Sequence, residues 1–232
     1  MKTSKEIVED LKSMANPAYT KKMSYFGIDS TAAFGIPHSV LKPYSKTIGR
    51  SHELAVELWG FKIHEAKHLA ILLMDPKKVT PSFAQKLVSE IYSWDLCDGL
   101  GMKVFSKTPF ALEKAIDWTE RSAEFEKRAG FASMIGIILD RKIANATIEQ
   151  FFPILEREAW DDRNFVKKAV NWVLRQAGKR NLELHPKAIK CAERIYAQNT
   201  KSARWIASDA LRELRSEVIQ ERLTKRQKRR AD

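Results

Sequence analysis

Apolar side chains recur with a helical period along almost the whole chain, and this feature limits its fold more than any other. Two stretches show the pattern clearly: Ile63, Ala66, Ala70 and Leu73, and Phe165, Ala169, Trp172 and Val173. No convincing segment alternates apolar and polar residues, as a half-buried strand would. Narrow apolar stripes of this kind bury against neighbouring helices. The sequence therefore predicts an all-α fold.

Proline and glycine divide this helical pattern into short elements. The breaks stand at Gly35-Ile36-Pro37, Asp75-Pro76, Thr80-Pro81, Thr108-Pro109, Gly178 and His185-Pro186. Several of them place proline in the first turn of the next helix, where its missing N–H costs nothing. A helix pair then recurs about every 35 to 45 residues, a spacing typical of HEAT-like repeats. We therefore predict an α-solenoid of HEAT-like helical repeats.

The predicted solenoid forms a single domain over residues 1–220. Near its start, residues 18–35 lack clear periodicity and are predicted to form a loop. At the other end, residues 224–230 are a basic run with no apolar anchor. Residues 221–232 are therefore predicted to be a disordered basic tail.

The chain is strongly basic, with 41 Lys and Arg against 29 Asp and Glu, a net charge of +12 and a pI near 9.7. Such a balance indicates a polyanionic partner, either nucleic acid or an anionic membrane surface. The longest apolar run, residues 69–74, is too short to span a bilayer. Cys97 and Cys191 have no cysteine neighbour in the sequence, which argues against disulfides and cysteine-based zinc sites. We expect a cytoplasmic protein with no membrane-spanning segment.

One short motif, His64-Glu65-Ala66-Lys67-His68, matches the H-E-x-x-H pattern of zinc peptidases. In those helices the inner positions are usually uncharged, whereas Lys67 occupies one of them here. The alternative is a polar helix face carrying His64, Lys67 and His68 beside the apolar stripe. We favour this alternative and expect no metal.

A second constellation pairs Trp94 with Asp98, which share one face of a helix that starts near Ser93. An indole attracts a cationic base through a cation–π contact of about 0.5 to 2 kcal/mol. A nearby carboxylate stabilises the oxocarbenium ion that forms when a glycosidic bond breaks, and it orients the attacking water. Asp95 is expected to be a charge favoured by the helix N-terminus. The alternative is that Trp94 is a packing residue and Asp98 a solvated or ion-paired acid.

Further cations follow in the second half of the chain. Lys168, Trp172, Arg175 and Lys179 fall on one stripe of the helix predicted over residues 162–178, which suits contacts with phosphates. Arg128 begins another helix, from which it can reach a phosphate or pair with an acid.

Taken together, these segments resemble the AlkD-like family of alkylpurine DNA glycosylases, whose members are built from HEAT-like repeats. With the basic charge of the chain, the resemblance implies an α-solenoid with a concave basic DNA-binding face. The matching segments occur in the family's order: Phe34-Gly35-Ile36-Pro37, Trp94-Asp95-Leu96-Cys97-Asp98, Lys127-Arg128-Ala129-Gly130-Phe131, the stretch 162–175, and Ala203-Arg204-Trp205. The stretch 162–175 is the most specific of them.

The resemblance implies a role for several residues. Asp98 looks like the catalytic carboxylate, Trp94 and Trp172 look like the aromatic pair at the lesion, and Arg128 looks like the arginine that binds the DNA backbone. Lys127 stands where the family often has an arginine, and a phosphate contact survives this exchange. The resemblance also implies that the lesion's deoxyribose is engaged while the base stays in the duplex, and that no metal or other cofactor is needed.

Three hypotheses follow from the sequence. The first is a monomeric DNA glycosylase that removes cationic N3- or N7-alkylated purines from double-stranded DNA. Lys168, Arg175 and Lys179 would then add contacts with the DNA backbone. The second is a non-catalytic protein on the same scaffold that binds bent or branched DNA. The third is a HEAT-like platform for an acidic protein partner.

Overall fold

A computed structural model describes the backbone of residues 2–231 and the side chains of residues 2–228. The described residues contain helices and no strand, which confirms the all-α prediction. None of these helices combines the length and apolar character needed to cross a lipid bilayer. Backbone contacts divide the chain into two compact units, Met1–Pro109 and Phe110–Asp232, whereas the sequence predicted one domain over residues 1–220.

The first unit contains seven α-helices within the described residues. They are α1 (Ser4–Ser13), α2 (Pro17–Tyr25), α3 (His38–Ile48), α4 (His52–Trp59), α5 (His64–Leu73), α6 (Pro81–Ser89) and α7 (Trp94–Lys103), with short 3-10 helices at Pro76–Lys78 and Phe105–Lys107. Helix α5 packs against α3, α4 and α7. Its residues Ala66, Ala70 and Leu73 are buried, as the apolar stripe predicts.

Side-chain caps explain several helix starts in this unit. Thr3 and Glu6 form a capping box at α1. The Asn16 side chain accepts the N–H of Tyr19 at the start of α2, where Pro17 is the first helical residue. Residues 18–25 are therefore helical, and the loop predicted over residues 18–35 is limited to the part after α2.

The second unit continues with α8 (Ala111–Thr119), α9 (Glu124–Leu139), α10 (Asn145–Glu149), α11 (Phe151–Glu158), α12 (Asn164–Gly178), α13 (Leu184–Ala197), α14 (Lys201–Leu214) and α15 (Glu217–Ala231). Helices α9, α12 and α14 pack in one row, and α8, α11 and α13 pack in a second row. The helices of the two rows pair as α8 with α9, α11 with α12 and α13 with α14. This stacking of helix pairs is the arrangement of HEAT-like repeats.

Glycine permits one of these close approaches. A Cβ atom on Gly130 of α9 would lie 2.8 Å from the Ala115 carbonyl oxygen and 2.9 Å from the Thr119 nitrogen, both on α8. Real Cβ atoms essentially never come this near to backbone atoms. Helices α8 and α9 can therefore pack at this distance only with glycine at position 130.

The end of the chain differs from the disordered tail predicted over residues 221–232. Helix α15 extends to Ala231, and Asp232 lies outside the described residues. Ile219 and Leu223 are buried on this helix, which packs against α14. The sequence interpretation considered only the basic run after Leu223, so it missed the apolar anchor that precedes it.

Candidate functional site

Trp94 and Asp98 lie on the first two turns of α7, as the sequence predicts. The helix begins at Trp94, and both side chains are half-buried. The Trp94 indole Nε1–H donates to the Phe26 carbonyl oxygen at 3.0 Å, which ties the ring to the chain after α2. Because the two residues are one turn apart, both line the same pocket.

This pocket has a volume of about 460 Å³ and lies entirely within the first unit. Its apolar wall comes from α2, α3, α7 and the segment between α2 and α3: Tyr19, Met23, Phe26, Ile28, Ile36, Leu41, Gly99 and Met102. Its polar groups come from α3, α5 and α7: His38, His64, His68, Asp95, Asp98 and Lys103. An apolar cavity with a few converging polar groups is the usual form of a small-molecule or cofactor site.

Asp95 binds the two histidines of the H-E-x-x-H motif. Its Oδ2 atom lies 2.9 Å from His64 Nε2 and 2.8 Å from His68 Nε2. Burial acts to raise the pKa of Asp95, but the hydrogen bonds and charges of the two histidines outweigh it and hold that pKa far below its ordinary value. Asp95 is also in the first turn of α7, as predicted, where the helix dipole favours a negative charge.

The polar face predicted for His64, Lys67 and His68 is mostly buried, and each of these side chains has a partner within the protein. His64 is 2% exposed, and Lys67 is buried with its ammonium 2.9 Å from the Trp59 carbonyl oxygen. The Glu65 carboxylate accepts three backbone N–H groups, from Phe34, Gly35 and Ile36, at 2.7 to 3.1 Å. Glu65 therefore holds the loop before α3 and cannot act as a peptidase base.

The pocket has an electropositive end. Lys103 Nζ lies 3.2 Å from His38 Nε2. Burial, followed by the charges of Lys103, His68 and Lys42, lowers the pKa of His38. Burial and the charges of Lys42 and Lys107 likewise lower the pKa of Lys103. The charges of Lys42 and Lys107 therefore act on the partly buried Lys103, and an anion here would stabilise them.

In the second unit, the two cations at the start of α9 are buried. Lys127 Nζ lies 2.6 Å from Glu158 and 3.5 Å from Asp161, and the Lys127 side chain is 6% exposed. Arg128 donates from its guanidinium to the Phe165 carbonyl oxygen at 2.7 Å. These surroundings favour a structural role for Lys127 over the predicted phosphate contact.

The basic stripe of α12 is only partly available to a phosphate. Lys168 is exposed and Trp172 is half-buried. Arg175 and Lys179 both bind Glu213 of α14, at 2.8 and 2.7 Å. Burial acts to raise the pKa of Glu213, but the hydrogen bond and charge of Lys179, with those of Arg175, lower it overall. Arg175 and Lys179 therefore also join α12 to α14.

The structure thus brings together some of the predicted site residues. Trp94 and Asp98 share a pocket of the first unit, whereas Arg128, Trp172 and the predicted phosphate contacts belong to the second unit. That residues of both units contact the same lesion stays a prediction from the resemblance.

Sequence reasoning missed most of the pocket. It did not pair His64 and His68 with Asp95, and it did not find Tyr19, Phe26, His38 or Lys103. The four-residue spacing of His64 and His68 did indicate that both side chains lie on one face of a helix. Their partner is about 30 positions away in the chain, and a short-range pattern holds no information on such a contact.

The chain is similar to known proteins in sequence and in fold. A family model described as DNA alkylation repair enzyme matches residues 7–214. An uncharacterized protein of Listeria innocua is 27% identical over 200 residues, which cover 84% of this chain and 87% of that protein. A solved structure superposes with a TM-score of 0.76 at 20% identity, covering 91% of this chain and 95% of the other. That protein is described as one of a new family related to the HEAT-like repeat DNA glycosylases with affinity for branched DNA structures.

Proposed function

Because the chain belongs to the DNA alkylation repair enzyme family, we propose that it is a DNA glycosylase acting on duplex DNA. Its substrates are purines that carry a positive charge through alkylation at N3 or N7. The reaction hydrolyses the N-glycosidic bond and leaves an abasic site. The observation that carries the proposal is that Trp94 and Asp98 line one pocket.

Binding uses the indole of Trp94 and the positive charge of the lesion. The hydrogen bond from Trp94 to Phe26 fixes the ring before the substrate arrives, so little side-chain entropy is lost on binding. A cationic purine or the sugar attached to it gains a contact with this ring, worth about 0.5 to 2 kcal/mol for a cation–π geometry. An uncharged purine lacks the charge-dependent part of this attraction.

The chemical step uses the Asp98 carboxylate. When the bond between C1′ and the purine nitrogen breaks, its electron pair moves to the base and neutralises the positive charge there. The base therefore leaves without being protonated, and the sugar becomes an oxocarbenium ion. Asp98 stabilises this ion and orients a water molecule, whose oxygen bonds to C1′ while its proton passes to the carboxylate or to solvent.

The electropositive end of the pocket suits a DNA phosphate. Lys103 lines the same pocket as Asp98, and the nearby charges of Lys42 and Lys107 favour an anion beside it. Lys168 supplies an exposed cation on the second unit, and Arg128 and Trp172 keep the roles that the resemblance implies. A net charge of +12 favours a polyanionic partner, and the phosphates of double-stranded DNA form such a polyanion.

Base release from two kinds of substrate tests the proposed function. Wild-type protein is incubated with duplexes that contain N7-methylguanine, N3-methyladenine or an uncharged lesion such as hypoxanthine, and free bases are separated and quantified. We expect release of the two cationic bases and little release of the neutral one. Equal release of all three would contradict the leaving-group argument, and release of none would exclude these glycosylase activities.

A second candidate function is non-catalytic binding of branched DNA. It is favoured by the solved structure that superposes on 91% of the chain, because that protein is described as having affinity for branched DNA structures. Binding to a four-way junction and to a duplex of the same total length separates the candidates. Strong preference for the junction, with no base release, would support the second function.

A further inference from the structure

Three ligand atoms in the first unit converge in a way that the glycosylase mechanism does not use. They are His64 Nε2 and His68 Nε2 of α5 and the Asp95 carboxylate of α7, and they all lie within 4.8 Å of one another. The two histidines stand four residues apart on the same helix, so their rings are neighbours, with centroids 4.8 Å apart. Two imidazoles and a carboxylate are a common ligand set for Zn²⁺ and similar ions.

The remaining polar atoms of two of these side chains are already bound, and this fixes their orientation. His64 Nδ1 lies 3.0 Å from the Tyr92 hydroxyl. Asp95 Oδ1 accepts the Ser93 hydroxyl and, at 3.0 Å, the N–H of Leu96. Metal-binding histidines and carboxylates usually have such outer partners, which hold the ring and leave the other atom for the ion.

The position of the cluster also suits a divalent cation. His64 is 2% exposed, while the side chains of His68 and Asp95 are each 16% exposed and line the pocket. A bound ion would therefore have buried protein ligands on one side and room for water on the other, which is the form of an open site. Two neutral imidazoles and one carboxylate carry a single negative charge, which a divalent ion would more than balance.

The distances require only a small adjustment. The Asp95 Oδ2 atom is 2.8 to 2.9 Å from each Nε2 atom. Ligand atoms that lie about 2.0 to 2.1 Å from a tetrahedral Zn²⁺ are about 3.4 Å from each other. The Asp95 oxygen must therefore move about half an ångström away from each Nε2 atom, which is within the reach of small χ rotations.

We propose that His64, His68 and Asp95 bind one divalent transition-metal ion such as Zn²⁺. The ion joins α5 to the first turn of α7, the turn that carries Trp94. It gives no peptidase activity, since Glu65, which would be the base of such an enzyme, is held by three backbone N–H groups. This site is independent of the proposed glycosylase activity, because it uses neither Trp94 nor Asp98.

Metal titration of the full chain tests the proposal. Protein stripped of metal is titrated with Co²⁺, followed by its visible d–d absorption, and with Zn²⁺, followed by calorimetry. We expect one ion per chain, and about 100-fold weaker binding in His68→Gln and in Asp95→Asn. His52→Gln is the matched control, because His52 lies on α4 of the same unit and outside the cluster. It should bind like the wild type.

A further variant separates loss of metal binding from loss of the fold. Tyr92→Phe keeps all three ligands and removes only the hydroxyl beside His64, so binding should weaken by about 10-fold. Melting temperatures are measured with and without Zn²⁺, and the ion should raise the melting temperature of the wild type but not that of His68→Gln. The proposal is overturned if the wild type takes up no stoichiometric ion, or if His68→Gln binds as tightly as the wild type.

Discussion

The side chains around the start of α7 have two different roles, in lining the pocket and in stabilising the fold. Trp94 and Asp98 line the pocket, whereas Glu65 and Lys67 use their charges to bind backbone groups. Glu65 holds the segment that includes Ile36 of the pocket wall. A charged hydrogen bond in a buried position contributes about 1.5 to 3 kcal/mol to stability. Substitution of Trp94 or Asp98 should therefore lower substrate turnover. Substitution of Glu65 or Lys67 should lower the free energy of unfolding.

Replacing Trp94 tests the first of these roles. Trp94→Ala removes the ring that is proposed to contact the lesion, and we expect kcat/KM for release of N7-methylguanine to fall by about 2- to 30-fold, the range of a cation–π contact. Tyr196→Ala is the control, because Tyr196 is an exposed aromatic on α13 that the proposed mechanism does not use. An unchanged kcat/KM in Trp94→Ala would remove the indole from the mechanism.

At the level of helices, buried ion pairs join neighbours in the second unit. Lys127 of α9 meets Glu158 at the end of α11 and Asp161 just after it. Asp161 in turn accepts two hydrogen bonds from the Arg163 side chain before α12 starts. Removal of one partner from a buried pair leaves an uncompensated charge, which is more costly than the pair itself is favourable. These contacts therefore fix the packing of α9, α11 and α12.

Lys127→Met should destabilise the protein by about 1.5 to 3 kcal/mol, because a buried charged hydrogen bond is lost, while Arg157 and Arg163 still pair with Glu158 and Asp161. Urea unfolding measures this change. Lys168→Met is the matched control, because Lys168 is exposed and should change the unfolding free energy by about 0.5 kcal/mol or less. If Lys127 were instead a phosphate contact, Lys127→Met would weaken DNA binding without changing the unfolding midpoint.

Asp161 should make stability depend on acid pH. Burial acts to raise its pKa, but the hydrogen bonds from Arg163 and the charges of Arg163 and Lys127 outweigh it, so the folded pKa is below the unfolded value of about 3.9. The contribution of the carboxylate is therefore complete above the unfolded pKa and is lost as pH falls through the folded pKa. In Asp161→Asn, unfolding free energies measured from pH 6 to pH 3 should fall less with acid. A slope equal to that of the wild type would contradict this assignment.

At the scale of the whole molecule, regular patterns were predictable and distant contacts were not. Helical period and proline breaks predicted an all-α fold with HEAT-like repeats, and the four-residue spacing placed Trp94 and Asp98 on one face. The burial of Lys127 was not predictable, because Glu158 lies about 30 residues away and periodicity does not encode that distance. The pairing of His64 and His68 with Asp95 was not predictable for the same reason. Helix α15 was missed for a different reason, since its anchors Ile219 and Leu223 precede the basic run.

The net charge of +12 predicts DNA binding that weakens steeply with salt. Affinity for a duplex should fall by about 1,000-fold between 50 and 200 mM salt if about six phosphates are contacted. Lys103→Met should reduce the slope of log K against log salt by about one. Lys86→Met, an exposed substitution on α6 that does not line the pocket, should leave the slope unchanged. Equal slopes in the wild type and Lys103→Met would exclude a phosphate at this end of the pocket.

The central claim is that the Asp98 carboxylate performs the chemistry, and single-turnover kinetics of Asp98→Asn tests it most directly. The rate constant for N7-methylguanine release is measured with protein in excess over duplex, and duplex affinity is measured in parallel. We expect the rate constant to fall by about 100-fold or more while affinity is retained, because the amide keeps the shape of the side chain and loses its charge. Asp140→Asn, an exposed acid on the second unit, should match the wild type. A rate constant within about twofold of the wild type in Asp98→Asn would contradict the account, since losing a group that stabilises the transition state costs far more than this.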